Sequence, residues 1–145
     1  MKKHWVAALA AVFVATAANA ATPILMHRDA GCGCCAKWAE QVRAEFKRRV
    51  TVVDDPSRAA FQRARGVPQR LSSCHTAVID GLVFEGHVPV ADIKRLLAQR
   101  PRGVAGLAVA GMPLGSPGME VPGQHRQPYV VMSFGPAGER VFARH

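Results

Sequence analysis

The chain predicts a mixed α/β fold, with a central mixed sheet flanked by helices, then a Gly/Pro/Met-containing loop and a C-terminal hairpin. Three observations carry that expectation. Short apolar, β-branched runs alternate with stretches of helical periodicity; an Asp-Gly pair separates two such runs; and three cysteines stand between the first strand candidate and the first helix candidate.

Ile24-Leu25-Met26-His27 is the first strand candidate, and Arg28-Asp29-Ala30-Gly31 is the turn after it. From Cys34 to about Arg48, Trp38, Val42 and Phe46 recur at four-residue spacing beside Ala39, with charges opposite, which predicts an amphipathic helix headed by cysteines. Val50-Thr51-Val52-Val53 reads as a strand closed by Asp54-Asp55-Pro56. Ser57 to Arg65 reads as a helix ended by Gly66 and Pro68. Thr76–Ile79, Asp80-Gly81 and Leu82–Glu85 make a hairpin, because Asp-Gly tolerates the positive φ of a type I′ turn. Pro89 opens a third helix whose stripe is Val90, Ile93, Leu96 and Leu97, and Pro101 and Gly103 end it. Strand, cysteine-headed helix, strand, helix, hairpin, helix is the thioredoxin-like order. Gly103 to Gln127 is Gly- and Pro-rich and without period, so an ordered loop or lid rather than a core element is expected there. Tyr129–Phe134, a Gly-Pro-Ala-Gly turn and Arg140-Val141-Phe142 read as a second hairpin that extends the sheet.

Residues 1–20 read as a secretory signal: Lys2 and Lys3, an apolar run from Trp5 to Ala18, and a small-residue Ala18-Asn19-Ala20 ending. The run is shorter than the about 20 residues that span a bilayer. Cleavage leaves residues 21–145 as a single thioredoxin-like metal-binding domain in the periplasm, without a stable membrane span. The whole sequence carries a formal charge of +9, but its Lys and Arg are scattered and lack interleaved aromatics, so they read as solvated helix faces, and no nucleic-acid partner is expected.

Chemistry concentrates at Cys32-Gly33-Cys34-Cys35. Of four cysteines in all, Cys34 and Cys35 could pair only as a strained vicinal ring, and a Cys32 to Cys34 bridge is scarcely longer. A Cys32 to Cys35 bridge is geometrically ordinary, which makes these two the redox candidates. Cys34 and Cys74 then either pair or serve another purpose. A helix N-terminus favours thiolate over thiol. Thiolates are the preferred ligands of Cu(I), and a thiolate sulfur can bridge two metals, so a polynuclear Cu(I) cluster is the expected cargo; zinc fits less well, since only one ligand knuckle is present. The loop Ser73-Cys74-His75-Thr76 precedes the hairpin, and in a thioredoxin-like fold it faces the cysteine-headed helix. That would add Cys74 and His75 to the site; otherwise they are a half-buried thiol and a strand-edge histidine. Met112 and Met119 place thioethers on the stiff loop, as soft ligands or as lid packing, and His27 and His87 are further ligand or supporting candidates.

The chain resembles the CopG-like family of exported copper-resistance proteins, formerly a domain of unknown function. The resemblance rests on Cys32-Gly33-Cys34-Cys35 with Lys37-Trp38, on Ser73-Cys74-His75-Thr76, and on Phe84-Glu85-Gly86-His87-Val88-Pro89. It rests as well on Asp92-Ile93-Lys94-Arg95-Leu96-Leu97, Gly111-Met112-Pro113 and Gly115-Ser116-Pro117-Gly118-Met119-Glu120, so that it runs from about Leu25 to Phe142. It implies a multinuclear Cu(I) cluster held by Cys32, Cys34, Cys35 and Cys74, and a role in periplasmic copper redox handling with a copper-handling or redox partner. His75, His87, Met112 and Met119 match motif positions as additional ligands or supporting groups. A different class of function, thiol-disulfide oxidoreductase acting on envelope proteins, would use Cys32 as nucleophile and Cys35 to resolve; the extra Cys34 has no role in such exchange.

Overall fold

The computed structural model describes residues 22–145; the signal expected over residues 1–20 lies outside them. Seven strands and three helices alternate as β1 (Ile24–Arg28), α1 (Gly33–Phe46), β2 (Val50–Asp54), α2 (Arg58–Ala64), β3 (His75–Ile79), β4 (Leu82–Glu85), α3 (Val90–Gln99), β5 (Gly106–Ala108), β6 (Val130–Phe134) and β7 (Arg140–Arg144). The strands form one sheet in the order β2-β1-β3-β4-β5-β6-β7. β1 and β2 are parallel, as are β4 and β5, and the other neighbours are antiparallel, so the sheet is mixed.

This topology gathers the chemistry at one end of the sheet. β1 leaves toward α1 at the same end where the antiparallel β3 enters, with Arg28 opposite His75 and Asp29 N–H donating to Cys74 C=O at 3.0 Å. β4 leaves there too, since Glu85 pairs with Thr76, and β5 runs parallel to β4 and releases the chain into the lid at the same edge. Segments far apart in sequence therefore meet within a few ångströms.

The main core lies under α1 and α3. Trp38, Val42, Ile93 and Leu96 are buried against Ile24, Met26, Ala77 and Phe84 of the sheet. Trp38 is fully buried and its indole N–H donates to Val88 C=O at 2.9 Å, which settles the one polar atom of the ring. The type I′ hairpin forms as expected, with φ of 49° at Asp80 and 83° at Gly81. α1 ends at Phe46, and its C-cap Lys47 takes the left-handed conformation usually given to glycine, with φ of 50°.

One expectation is corrected. The stretch from Gly103 to Gln127 contains a core strand, β5, all three residues of which are buried between β4 and β6. Gly106 is needed there because a Cβ would stand 2.0 Å from Val83 C=O and 2.8 Å from the Phe134 ring. Close packing selected a residue that carries no strand signal.

Candidate metal centre

Cys32 is the N-cap of α1, and its Sγ accepts from the Cys35 N–H at 3.3 Å, satisfying one of the free donors of the first turn. Arg28 supports the cap from β1 by donating to Cys32 C=O at 2.9 Å. Cys32 and Cys35 are joined in a disulfide with Cα atoms 5.3 Å apart, whereas Cys34 and Cys74 are free thiols and do not pair. Cys34 Sγ is 3.3 Å from Cys32 Sγ, and Cys74 Sγ is 3.3 Å from Cys35 Sγ. All four sulfurs lie within 4.8 Å of one another. The β3 entry loop does face the cysteine turn.

A second group overlaps the first at Cys74, which lies within 4.8 Å of ligand atoms of His75 and His87. His87 Nε2 is 3.2 Å from Cys74 Sγ, and its Nδ1 is 2.8 Å from the carbonyl of Pro117. A carbonyl only accepts, so Nδ1 carries the proton and Nε2 turns a lone pair to the sulfur. His75 is fully buried, with Nδ1 3.7 Å from Cys74 Sγ and its ring packed on Trp38 and edge-on to His87. Its Nε2 has no hydrogen-bond partner among the described residues. Burial holds both imidazoles below the usual histidine range, His75 well below it, so they are neutral donors. Burial, reinforced by the nearby Cys34, pushes the Cys74 thiol up to about 12.

Met112 stands at the exposed rim, its Sδ 4.0 Å from Cys34 Sγ. Met119 is half-buried and serves the lid's own turns, its carbonyl accepting from Gly115 N–H at 3.0 Å; among the described residues its sulfur makes no hydrogen bond to the cysteines. His27 is committed elsewhere, 2.7 Å from Asp55 and stacked on Phe61. The lid is seated on α1 at Gly118, whose φ is +85° and where a Cβ would stand 2.6 Å from Cys34 C=O. It is also tied down by Ser73 Oγ–H donating to Gly111 C=O at 2.5 Å.

Beneath the Cys74 loop lies a polar network that the sequence reading missed. The fully buried Glu85 accepts from Gln62 Nε2 and from Ser73 N–H, both at 2.7 Å, and from the Thr76 hydroxyl at 2.5 Å. Arg58 Nη1 stands 3.6 Å from it, while Arg58 Nε pairs with Asp29 at the turn before Cys32. Burial pushes the Glu85 carboxyl above its usual range, and these hydrogen bonds and the Arg58 charge oppose that push. A carboxylate closing an apolar hairpin strand was the only signal available.

Two solved structures described as copper resistance protein CopG, forms 1 and 2, match the chain with TM-scores of 0.78 and 0.77. Form 1 is 41% identical over 86% of this chain and 98% of its own, and form 2 is 42% identical over 85% and 97%. The chain belongs to the CopG family. A family model described as a protein of unknown function, DUF411, matches residues 71–119, the span that carries Cys74, both buried histidines and the two lid methionines. No curated protein sequence matches the chain. The cysteine turn at α1 lies outside the DUF411 match.

Proposed function

We propose that this CopG-family chain handles copper, holding several Cu(I) ions as a thiolate-bridged cluster on Cys32, Cys34, Cys35 and Cys74 in its reduced form. The observation that carries the reading is the convergence of four sulfurs within 4.8 Å of one another. The donor set fits a soft monovalent ion: it is sulfur-rich and adjoins the neutral Nε2 of His87, and no carboxylate belongs to either group. Met112 offers a thioether at the mouth, and His75 supports the site from below. Copper is the cargo, and its neutralisation of adjacent thiolates is what lets them stay deprotonated at close range.

The Cys32–Cys35 disulfide removes two of the four sulfurs from the ligand set, so oxidation and copper release are coupled in this reading. Export over residues 1–20 and a single periplasmic domain from residue 21 complete it; among the described residues no helix is long and apolar enough to cross a membrane. Anaerobic titration of the reduced chain with Cu(I) against a competing chelator, read by metal analysis, tests the proposal. Several Cu(I) per chain are expected, with uptake lost in Cys74→Ser; unchanged uptake in both Cys34→Ser and Cys74→Ser would overturn it.

The disulfide itself favours a second reading, thiol-disulfide exchange with envelope proteins. Turnover in an insulin-reduction assay separates the two, because the copper reading requires none.

A further inference from the structure

We infer that Cys74 is an internal nucleophile that exchanges the Cys32–Cys35 disulfide for a Cys35–Cys74 disulfide, moving a free thiol from the buried floor of the site to its rim. The inference concerns the metal-free oxidised chain and does not rest on copper binding.

Three features converge on this step. The attacking atom is in place: Cys74 Sγ is 3.3 Å from Cys35 Sγ and separated from it by no other group. The proton has a destination: His87 Nε2 is 3.2 Å from Cys74 Sγ, with its lone pair directed there because Nδ1–H is held by the Pro117 carbonyl. The leaving group is supported: Cys32 Sγ accepts the Cys35 N–H at the N-terminus of α1, where negative charge is favoured. Nucleophile, proton acceptor and a third group that orients the acceptor are assembled. Because burial holds the Cys74 thiol protonated and keeps His87 a weak base, the exchange is slow and is read over prolonged treatment. Here the electrophile is an internal disulfide.

The step balances without an external oxidant. The Cys74 S–H proton passes to His87 Nε2, the Cys74–Cys35 S–S bond forms, the Cys35–Cys32 bond breaks, and Cys32 leaves as a thiolate that recovers the proton. One disulfide exists before and after. Cys34 is a poor competitor, although its Sγ is 3.3 Å from Cys32 Sγ, because a bridge between residues two apart is strained whereas Cys35–Cys74 joins separate elements. After exchange the free thiols are Cys32 and Cys34, both half-exposed, instead of Cys34 and the buried Cys74. The isomerised chain therefore presents a pair of thiols at the surface beside the Met112 thioether.

Disulfide mapping tests the inference, because trypsin releases Cys32, Cys34 and Cys35 on one peptide, Asp29–Lys37, and Cys74 on another, Leu71–Lys94. The full chain, freed of metal by a strong chelator, is oxidised with oxidised dithiothreitol, and its monomer fraction is digested and weighed. With Cys32→Ser and Cys34→Ser combined, the two peptides are expected to be recovered linked; recovery of both with free thiols would overturn the inference. Cys34→Ser alone gives the kinetic test. Prolonged iodoacetamide treatment of its oxidised form should accumulate linked peptides alkylated at Cys32, and the further change Cys74→Ser should abolish that alkylation. A disulfide that resists alkylation equally with and without Cys74 would overturn the exchange, whatever the first variant shows.

Discussion

The rim and the floor of the sulfur site are built on different physical terms. Cys32, Cys34 and Met112 sit on a helix start and a lid, partly in water, and hold their places through backbone geometry. Cys35, Cys74, His75 and His87 are buried, on the first turn of α1, at the entry to β3, on β3 and just after β4, and a hydrogen-bonded carboxylate braces the loop that carries Cys74. Floor residues thus serve both the fold and the site, while rim residues, apart from the Cys32 cap of α1, serve the site. Changes at the floor should cost stability first, and changes at the rim should alter chemistry in a molecule that stays folded.

Glu85→Ala is the strongest test. It strips the acceptor from Gln62, Ser73 N–H and Thr76 and leaves the buried Arg58 guanidinium paired with Asp29 alone, so a loss of about 3–5 kcal/mol is expected in urea unfolding of the reduced chain. A loss below about 1 kcal/mol, the scale of one ordinary hydrogen bond, would show that the floor is not braced through this carboxylate. Next in size is Gly118→Ala, which places a methyl against Cys34 C=O at a positive φ. It should cost about 1–3 kcal/mol, the range for overpacked sites. It should also lift the lid, so that Cys34 is alkylated faster in the variant than in the wild type; an unchanged rate would mean that the lid does not shield the rim.

A pH series sharpens the contrast further. Burial raises the Glu85 carboxyl in the folded chain above its value in the unfolded one. Below the unfolded value, about 4.3, both states hold the proton and Glu85 contributes no pH-dependent penalty. As pH rises from there, the unfolded chain ionises first, and stability falls until the folded carboxyl has ionised as well. Glu85→Gln removes this titration, so the stability of the wild type relative to that variant should decline as pH is raised through the range. A relative stability that climbs with pH would mean that the hydrogen bonds and Arg58 outweigh burial.

The same division governs how much the sequence revealed. Helix α1, the Asp-Gly hairpin and the α3 stripe announce themselves by periodicity and turn chemistry, and both partners of the site were legible as the Cys-x-Cys-Cys turn and the Cys74 loop. What escaped was set by three-dimensional neighbours. β5 is Gly-Leu-Ala because Gly106 must lie against Val83, which erases any β-branched signal. Glu85 and Gln62 look like solvated residues until the sheet buries them. Met112 and Met119 carry equal sequence signals, yet among the described residues it is the Met112 sulfur that is hydrogen-bonded to a cysteine, while Met119 is seen in the lid's own turns.

Met112→Ala should have the smallest effect on the fold and so draws the comparison most finely. The side chain is 51% exposed, and surface substitutions away from special features shift stability by about 0.5 kcal/mol or less. Removing the thioether 4.0 Å from Cys34 Sγ nonetheless takes away a soft donor that the lid adds to the mouth. Copper-loaded variant should therefore surrender its metal to a competing chelator faster than the wild type, with the same urea midpoint in the metal-free state and the same copper stoichiometry at saturation. Release at the wild-type rate would confine copper chemistry to the cysteines and leave Met112 as lid surface. A reduced stoichiometry would instead make the rim thioether part of the cluster itself, and the separation between a floor that holds and a rim that gates would have to be redrawn.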